Sequence, residues 1–193
     1  MSIPPEYLAL REKVDAFAHE VATAQRGHMQ CRAGCAGCCH ADLSVSAVEA
    51  AAIRAHLASL PAPARAALRQ RAAAATAPSA EPPRCLMLDA DDRCQIYEAR
   101  PLVCRTQGLP LRYSAELIPA SAVRLRGRDA AVTWCPLNFT AATPPAAQIL
   151  DAERVDALLA LINRKHAAAH GQDPLARTPL GELATEPSAT TAR

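Results

Sequence analysis

Apolar residues recur at helical spacing from the start of the chain. Tyr7, Leu10, Val14, Phe17 and Val21 stand three or four positions apart, so they share one face. This predicts an amphipathic helix over 5–26 whose stripe packs into a core, with Pro4 and Pro5 at its start and Gly27 as its stop. Ser46 and Glu49 have the spacing of a capping box, which places a second helix at 47–59, ended by Pro61. The Arg- and Ala-rich run 64–76 reads as a third, more exposed helix. Helical spacing returns at Ile149, Val155, Leu158, Leu159 and Ile162, predicting a helix over 147–169 closed by Gly171. Between these stretches the texture changes. CLML and CQIY flank DADDR as in a small hairpin, Pro101 can open a helical turn over 101–106, and 121–126 and 131–135 read as short strands. Residues 78–84 read as a linker. Residues 172–193 hold few large apolar groups and predict a disordered tail. The fold class is therefore mainly α with a small irregular and β Cys-rich region, an α+β single domain.

Composition sharpens this picture. Half of the 193 residues are hydrophobic, but 45 are alanines, against two Phe, three Tyr and one Trp. Alanine favours helix and buries little apolar surface, so the core is thin and the irregular part needs another source of order. A net charge of +2 argues against nucleic acid as a partner. The N-terminus has no basic segment leading into an apolar run, and no 18-residue apolar stretch occurs, so neither export nor a membrane partner is expected and the cytoplasm is the predicted location.

A reducing compartment changes how the eight cysteines are read. They are expected to be metal ligands or redox groups rather than a disulfide framework. Cys31, Cys35, Cys38 and Cys39 lie on a turn containing Gly34 and Gly37, and Cys85, Cys94, Cys104 and Cys135 follow in the irregular region. Thiolates are soft donors suited to zinc or iron, and four of them complete a tetrahedral shell. Eight thiols fit two four-cysteine sites, one polynuclear site with bridging thiolates, or one site with spare redox cysteines. The domain reading follows: a helix over 1–27, a Cys-rich metal-binding domain over 28–140 including the helices at about 47–76, a C-terminal helix over 141–171 packing on it, and the tail 172–193.

CRAGCAGCCH, then CLMLDADDRCQIYEARPLVCR, then WCPLNF resemble the YkgJ-type cysteine-cluster family, whose short signature is CxxCxxCC. The similarity covers about 31–139, and its most specific part runs from Cys94 through Ile96, Tyr97, Arg100 and Pro101 to Cys104 and Arg105. Here the first interval, from Cys31 to Cys35, is one residue longer than in the signature. The resemblance implies zinc or iron chelation by all eight cysteines, Cys31, Cys35, Cys38, Cys39, Cys85, Cys94, Cys104 and Cys135. The bound iron can take the form of an iron–sulfur cluster. Because some relatives are linked to lysine methylation of flagellin, it also implies an alternative, an iron–sulfur-dependent or protein-modifying enzyme. It names no catalytic residue.

Other readings of the same residues are weaker. The spacing Cys31-x3-Cys35-x2-Cys38 occurs in radical-SAM enzymes, but the repeated βα units of that fold are absent and Gly37 stands where an aromatic is usual. Asp89, Asp91 and Asp92 lack the Gly and terminal Glu of a calcium loop and read as a polar turn. Arg100 and Arg105 are candidates to hold thiolate sulfurs or to form structural ion pairs. Arg124, Arg126 and Arg128 alternate along a possible strand as an exposed basic stripe. His28 and His40 flank the first cysteines and are more readily neighbours of a metal site than ligands.

Overall fold

The computed structural model describes residues 2–40, 42–74, 84–114 and 131–185. The predicted strand at 121–126, its Arg124, Arg126 and Arg128, and nearly all of the linker at 78–84 lie outside them. Among the described residues the chain is mainly helical, with six α-helices and two small sheets, an α+β character. It divides into two compact units. One comprises 1–3, 33–101 and 163–193, and the other 4–32 and 102–162.

The first unit is built on α2 (Ala47–Ser59), α3 (Ala62–Ala74) and α6 (Leu180–Thr185). The predicted capping box starts α2: the Ser46 amide and hydroxyl donate to Glu49 Oε2 at 3.0 and 2.8 Å. Asn163 Oδ1 accepts from the Val48 amide at 3.1 Å, satisfying a second orphan donor of that first turn. Helix α3 begins two residues earlier than the pattern suggested, because Pro63 is tolerated where the first-turn N–H has no partner. Its Leu68 and Ala72 are buried with Val45, Ile53, Leu57, Met87, Ile96 and Ala99.

Residues 172–185, expected to belong to a disordered tail, are ordered; 186–193 lie outside the described residues. β5 (Thr178–Pro179) pairs antiparallel with β1 (Ser44–Val45), and α6 packs on α2 and α3. Leu180, Leu183 and Ala184 enter the core, and the Leu180 amide donates to Leu43 O at 2.7 Å. Few apolar residues suffice here because three of them sit on one short helix face and all are buried.

The second unit holds α1 (Pro5–Ala24), α4 (Leu102–Thr106) and a three-stranded sheet. β2 (Leu111–Tyr113) is central, antiparallel to β3 (Ala131–Thr133) and parallel to β4 (Leu150–Asp151). Helix α1 buries Tyr7, Leu10, Val14 and Val21 as the pattern requires, and Phe17 packs partly buried against Val21, Leu109, Leu111 and Phe139. Pro101 directly precedes α4, which packs on α1.

The last long helix, α5, runs Ala152–Ala169, so its start lies five residues after the predicted one. Ile149 is extended, and the Leu150 amide donates to Pro110 O at 2.9 Å. The sheet takes 150–151, and Asp151 then caps the helix, its Oδ1 accepting from the Arg154 amide at 3.1 Å. Val155 is buried as predicted, but Leu158, predicted on the same face, is exposed, and Ala152, Asn163, His166 and Ala167 are buried. The division between the two units falls within this helix. Gly171, at φ 62°, closes it as predicted: the Gln172 amide returns to Ala167 O at 2.9 Å and the Gly171 amide to Ala168 O at 3.4 Å, a Schellman motif.

Candidate metal centre

The cysteines divide between the units. Cys35, Cys38, Cys39, Cys85 and Cys94 belong to the first, and Cys31, Cys104 and Cys135 to the second. None of the eight forms a disulfide.

In the first unit the loop 33–40 meets the 84–95 turn through backbone. The Cys39 amide donates to Ala36 O and the Cys85 amide to Cys39 O, both at 2.8 Å. The turn itself is a hairpin, as expected. Leu88 and Cys94 form an antiparallel bridge, the Gln95 amide donates to Met87 O at 2.7 Å, and the Asp89 amide donates to Arg93 O at 2.9 Å. Asp89 organises it. Its Oδ1 accepts from the amides of Asp91 and Arg93, both at 2.9 Å, and its Oδ2 from Gln95 Nε2 at 2.9 Å. Asp92 takes a positive φ of 59° and pairs with Arg84. These carboxylates are therefore spent on a polar turn.

The thiols carried by these two loops feel one another. The Cys39 thiol, the backbone amide of Cys38 itself and the Arg100 charge lower the Cys38 thiol to about 6, against the burial that opposes ionisation. Burial pushes the Cys85 and Cys94 thiols up; the Cys38 charge adds to this at Cys85, and the Cys85 charge adds to it at Cys94. The result is a run of neighbouring sulfurs with one anionic member near neutral pH. Arg100 lies over the Tyr97 ring, 3.6 Å from its centroid, and its Nε donates to Tyr97 O at 3.0 Å. The Arg100 charge is the smallest of the causes that lower the Cys38 thiol. Arg105 forms the structural ion pair that was the other reading: its buried guanidinium pairs with Asp15 on α1 at 2.5 Å.

In the second unit the organising residue is one that no sequence pattern singled out. Asn138 is 1% exposed. Its Oδ1 accepts from the Gln30 amide at 2.7 Å, its Nδ2 donates to Gly108 O at 2.8 Å and to Cys31 Sγ at 3.5 Å, and its own amide donates to Cys135 O at 2.9 Å. The Phe139 amide donates to His28 O at 2.8 Å, and the His28 and Phe139 rings stack at 6.1 Å. Trp134 meets Phe139 edge-on at 6.4 Å. The available signal was Asn138 itself within WCPLNF, a buried-amide candidate beside a cysteine.

Among the described residues no three His, Cys, Asp or Glu side chains are arranged to hold a metal ion in the conformation seen. The chemistry of the donor set nevertheless suits a soft or borderline cation, since grouped thiols with one ionised member are the ligands zinc and iron take. This is a mainly helical, cysteine-rich protein. Residues 30–122 match the family model CxxCxxCC, described as a putative zinc- or iron-chelating domain. That segment holds Cys31, Cys35, Cys38, Cys39, Cys85, Cys94 and Cys104, and Cys135 lies beyond it. Comparison with curated proteins and with solved structures found no match. No helix among the described residues is long and apolar enough to cross a membrane.

Proposed function

We propose that this protein binds zinc or iron through its eight cysteine thiolates, in two groups that follow the two units: Cys35, Cys38, Cys39, Cys85 and Cys94 in one, and Cys31, Cys104 and Cys135 in the other. The observation that carries this is the meeting of the two cysteine-bearing loops: the Cys85 amide donates to Cys39 O at 2.8 Å, which sets Cys38 and Cys39 beside the hairpin that holds Cys85 and Cys94. A metal needs thiolate, and an ion already present near neutral pH gives it a first ligand. Each further thiol loses its proton as the metal engages it, which offsets the burial that pushes the Cys85 and Cys94 thiols up. Since the sulfurs do not converge on one point in the conformation seen, metal binding and ordering of the two loops are one event. Bound zinc would supply a structural cross-link; bound iron, alone or as an iron–sulfur cluster, would add redox chemistry. The cytoplasm, which keeps thiols reduced, suits this role.

Anaerobic purification followed by elemental analysis and a visible spectrum is the test. Stoichiometric zinc in a colourless sample, or iron in a brown one, is the expected outcome and also identifies the metal. A fully folded protein that takes up neither and carries four disulfides would overturn the proposal.

A further inference from the structure

Three segments of the second unit each carry one cysteine, and one buried amide ties all three. Asn138 reaches the Cys31 segment through the Gln30 amide and through Cys31 Sγ itself, the segment after Cys104 through Gly108 O, and the Cys135 turn through its own N–H. The bond to Cys31 has a defined sense. Nδ2 carries two protons, and the Gly108 carbonyl takes one, so the other is directed at sulfur. Oδ1 accepts from Gln30, which fixes the amide so that its NH₂ rather than its oxygen faces Cys31. Gly108 completes the arrangement. Its φ is 91°, and a Cβ built there would lie 2.6 Å from Cys31 Sγ and 3.2 Å from Asn138 Nδ2. A side chain at 108 would occupy the space the sulfur uses, in a backbone conformation that L-residues avoid.

We propose that Asn138, with Gly108 as its cradle, is the positioning residue of Cys31: its amide N–H donates to the sulfur, fixes where it lies and sets how strongly it donates to a metal. This rests on the metal-binding reading above and deepens it, since a hydrogen bond to a ligand sulfur withdraws electron density and fixes its lone pairs. Buried structural asparagines are common, but a purely structural one would have no reason to aim a proton at sulfur or to face a glycine whose missing Cβ leaves room for that sulfur.

The test uses the full chain loaded with cobalt(II) as a spectroscopic probe. In Asn138→Ala the sulfur-to-cobalt charge-transfer band should move to lower energy, because a thiolate relieved of its hydrogen bond gives up an electron more readily. Cobalt affinity should fall about 10–100-fold, the usual cost of losing such a partner. Gly108→Ala should weaken binding, because the added methyl displaces Cys31 and crowds the Asn138 amide. A metal-free readout separates this idea from the metal reading. At alkaline pH, where thiolates predominate, Cys31 in Asn138→Ala should alkylate several-fold faster than in the parent, with Cys38 unchanged. If the parent binds no metal but Cys31 still responds, the metal proposal fails and the clamp stands. An unchanged band in the cobalt form, or an unchanged Cys31 rate in a folded Asn138→Ala protein, would overturn the clamp.

Discussion

Cys38 illustrates how much one residue depends on its immediate neighbours. Its thiol falls to about 6, first through the Cys39 thiol and also because Arg100 is near. Below that pH the thiol is protonated and the bonds to its anion are lost; above it the thiolate is held. In metal-free protein Cys38 should therefore react with iodoacetamide along a curve centred near pH 6. Cys39→Ala should move the midpoint up toward the ordinary thiol range, and Arg100→Gln should move it up less. Rates followed by peptide mapping decide this, and a Cys38 midpoint near that of a free thiol would contradict it. Arg105 teaches the opposite lesson. Its charge is buried and its Asp15 partner half exposed, so the pair is structural. Asp15→Ala should cost about 1–3 kcal/mol in urea unfolding, through loss of a charged hydrogen bond on a buried group.

At the scale of elements, helix ends matter more than helix middles. Asp151 caps α5, so Asp151→Ala should cost about 1 kcal/mol. Asn163 acts on two other elements at once, accepting from Val48 at the start of α2 and donating to Pro174 O at 2.8 Å. Because both partners are backbone groups, Asn163→Leu should leave them unsatisfied and cost about 1–3 kcal/mol for each one that stays buried. Hydrogen exchange at Val48 is the local readout. Full retention of its protection in the variant would show that another group satisfies that amide. These caps were legible to different degrees. Ser46 and Glu49 announce themselves at a spacing of three, and Gly171 stands at the end of an apolar period. Asp151 stands at the right spacing for Arg154, but the apolar Ile149 and Leu150 just before it made the helix look longer than it is.

At the scale of the whole molecule, the C-terminal segment completes the core of the first unit. Leu183 is buried in the first unit's core, so Leu183→Ala should cost about 2–5 kcal/mol, and a chain ending before Thr178 should lose cooperative unfolding of that unit. A truncated chain with an unchanged melting curve would restore the idea of a dispensable tail. Cys104 belongs to the other group of thiols. Cys104→Ser should lower bound zinc or iron by the share held in the second unit, while the metal held through Cys38, Cys39, Cys85 and Cys94 is retained. Elemental analysis reads this directly, and an unchanged metal content would remove Cys104 from the ligand set.

What the sequence determined by itself is whatever acts over a few residues. The helix stripe of α1, the box at Ser46 and Glu49, the Asp89 turn, the Gly171 stop and the soft-donor character of eight thiols all follow from neighbours three or four positions apart or from side-chain chemistry alone. Tertiary structure decided the rest, because the groups concerned meet across long stretches of chain. Asp15 and Arg105 are 90 positions apart, and Gln30 and Asn138 are 108 apart. No periodicity carries such a pairing. Cys38 stood among eight candidates until folding set Arg100 near it, and Asn138 was one amide in WCPLNF until burial directed its proton to Cys31. Leu180 and Leu183 were a sparse tail until β5 paired with β1 and gave them a core to enter. Burial and long-range hydrogen bonding assign these roles, and both are properties of the folded chain.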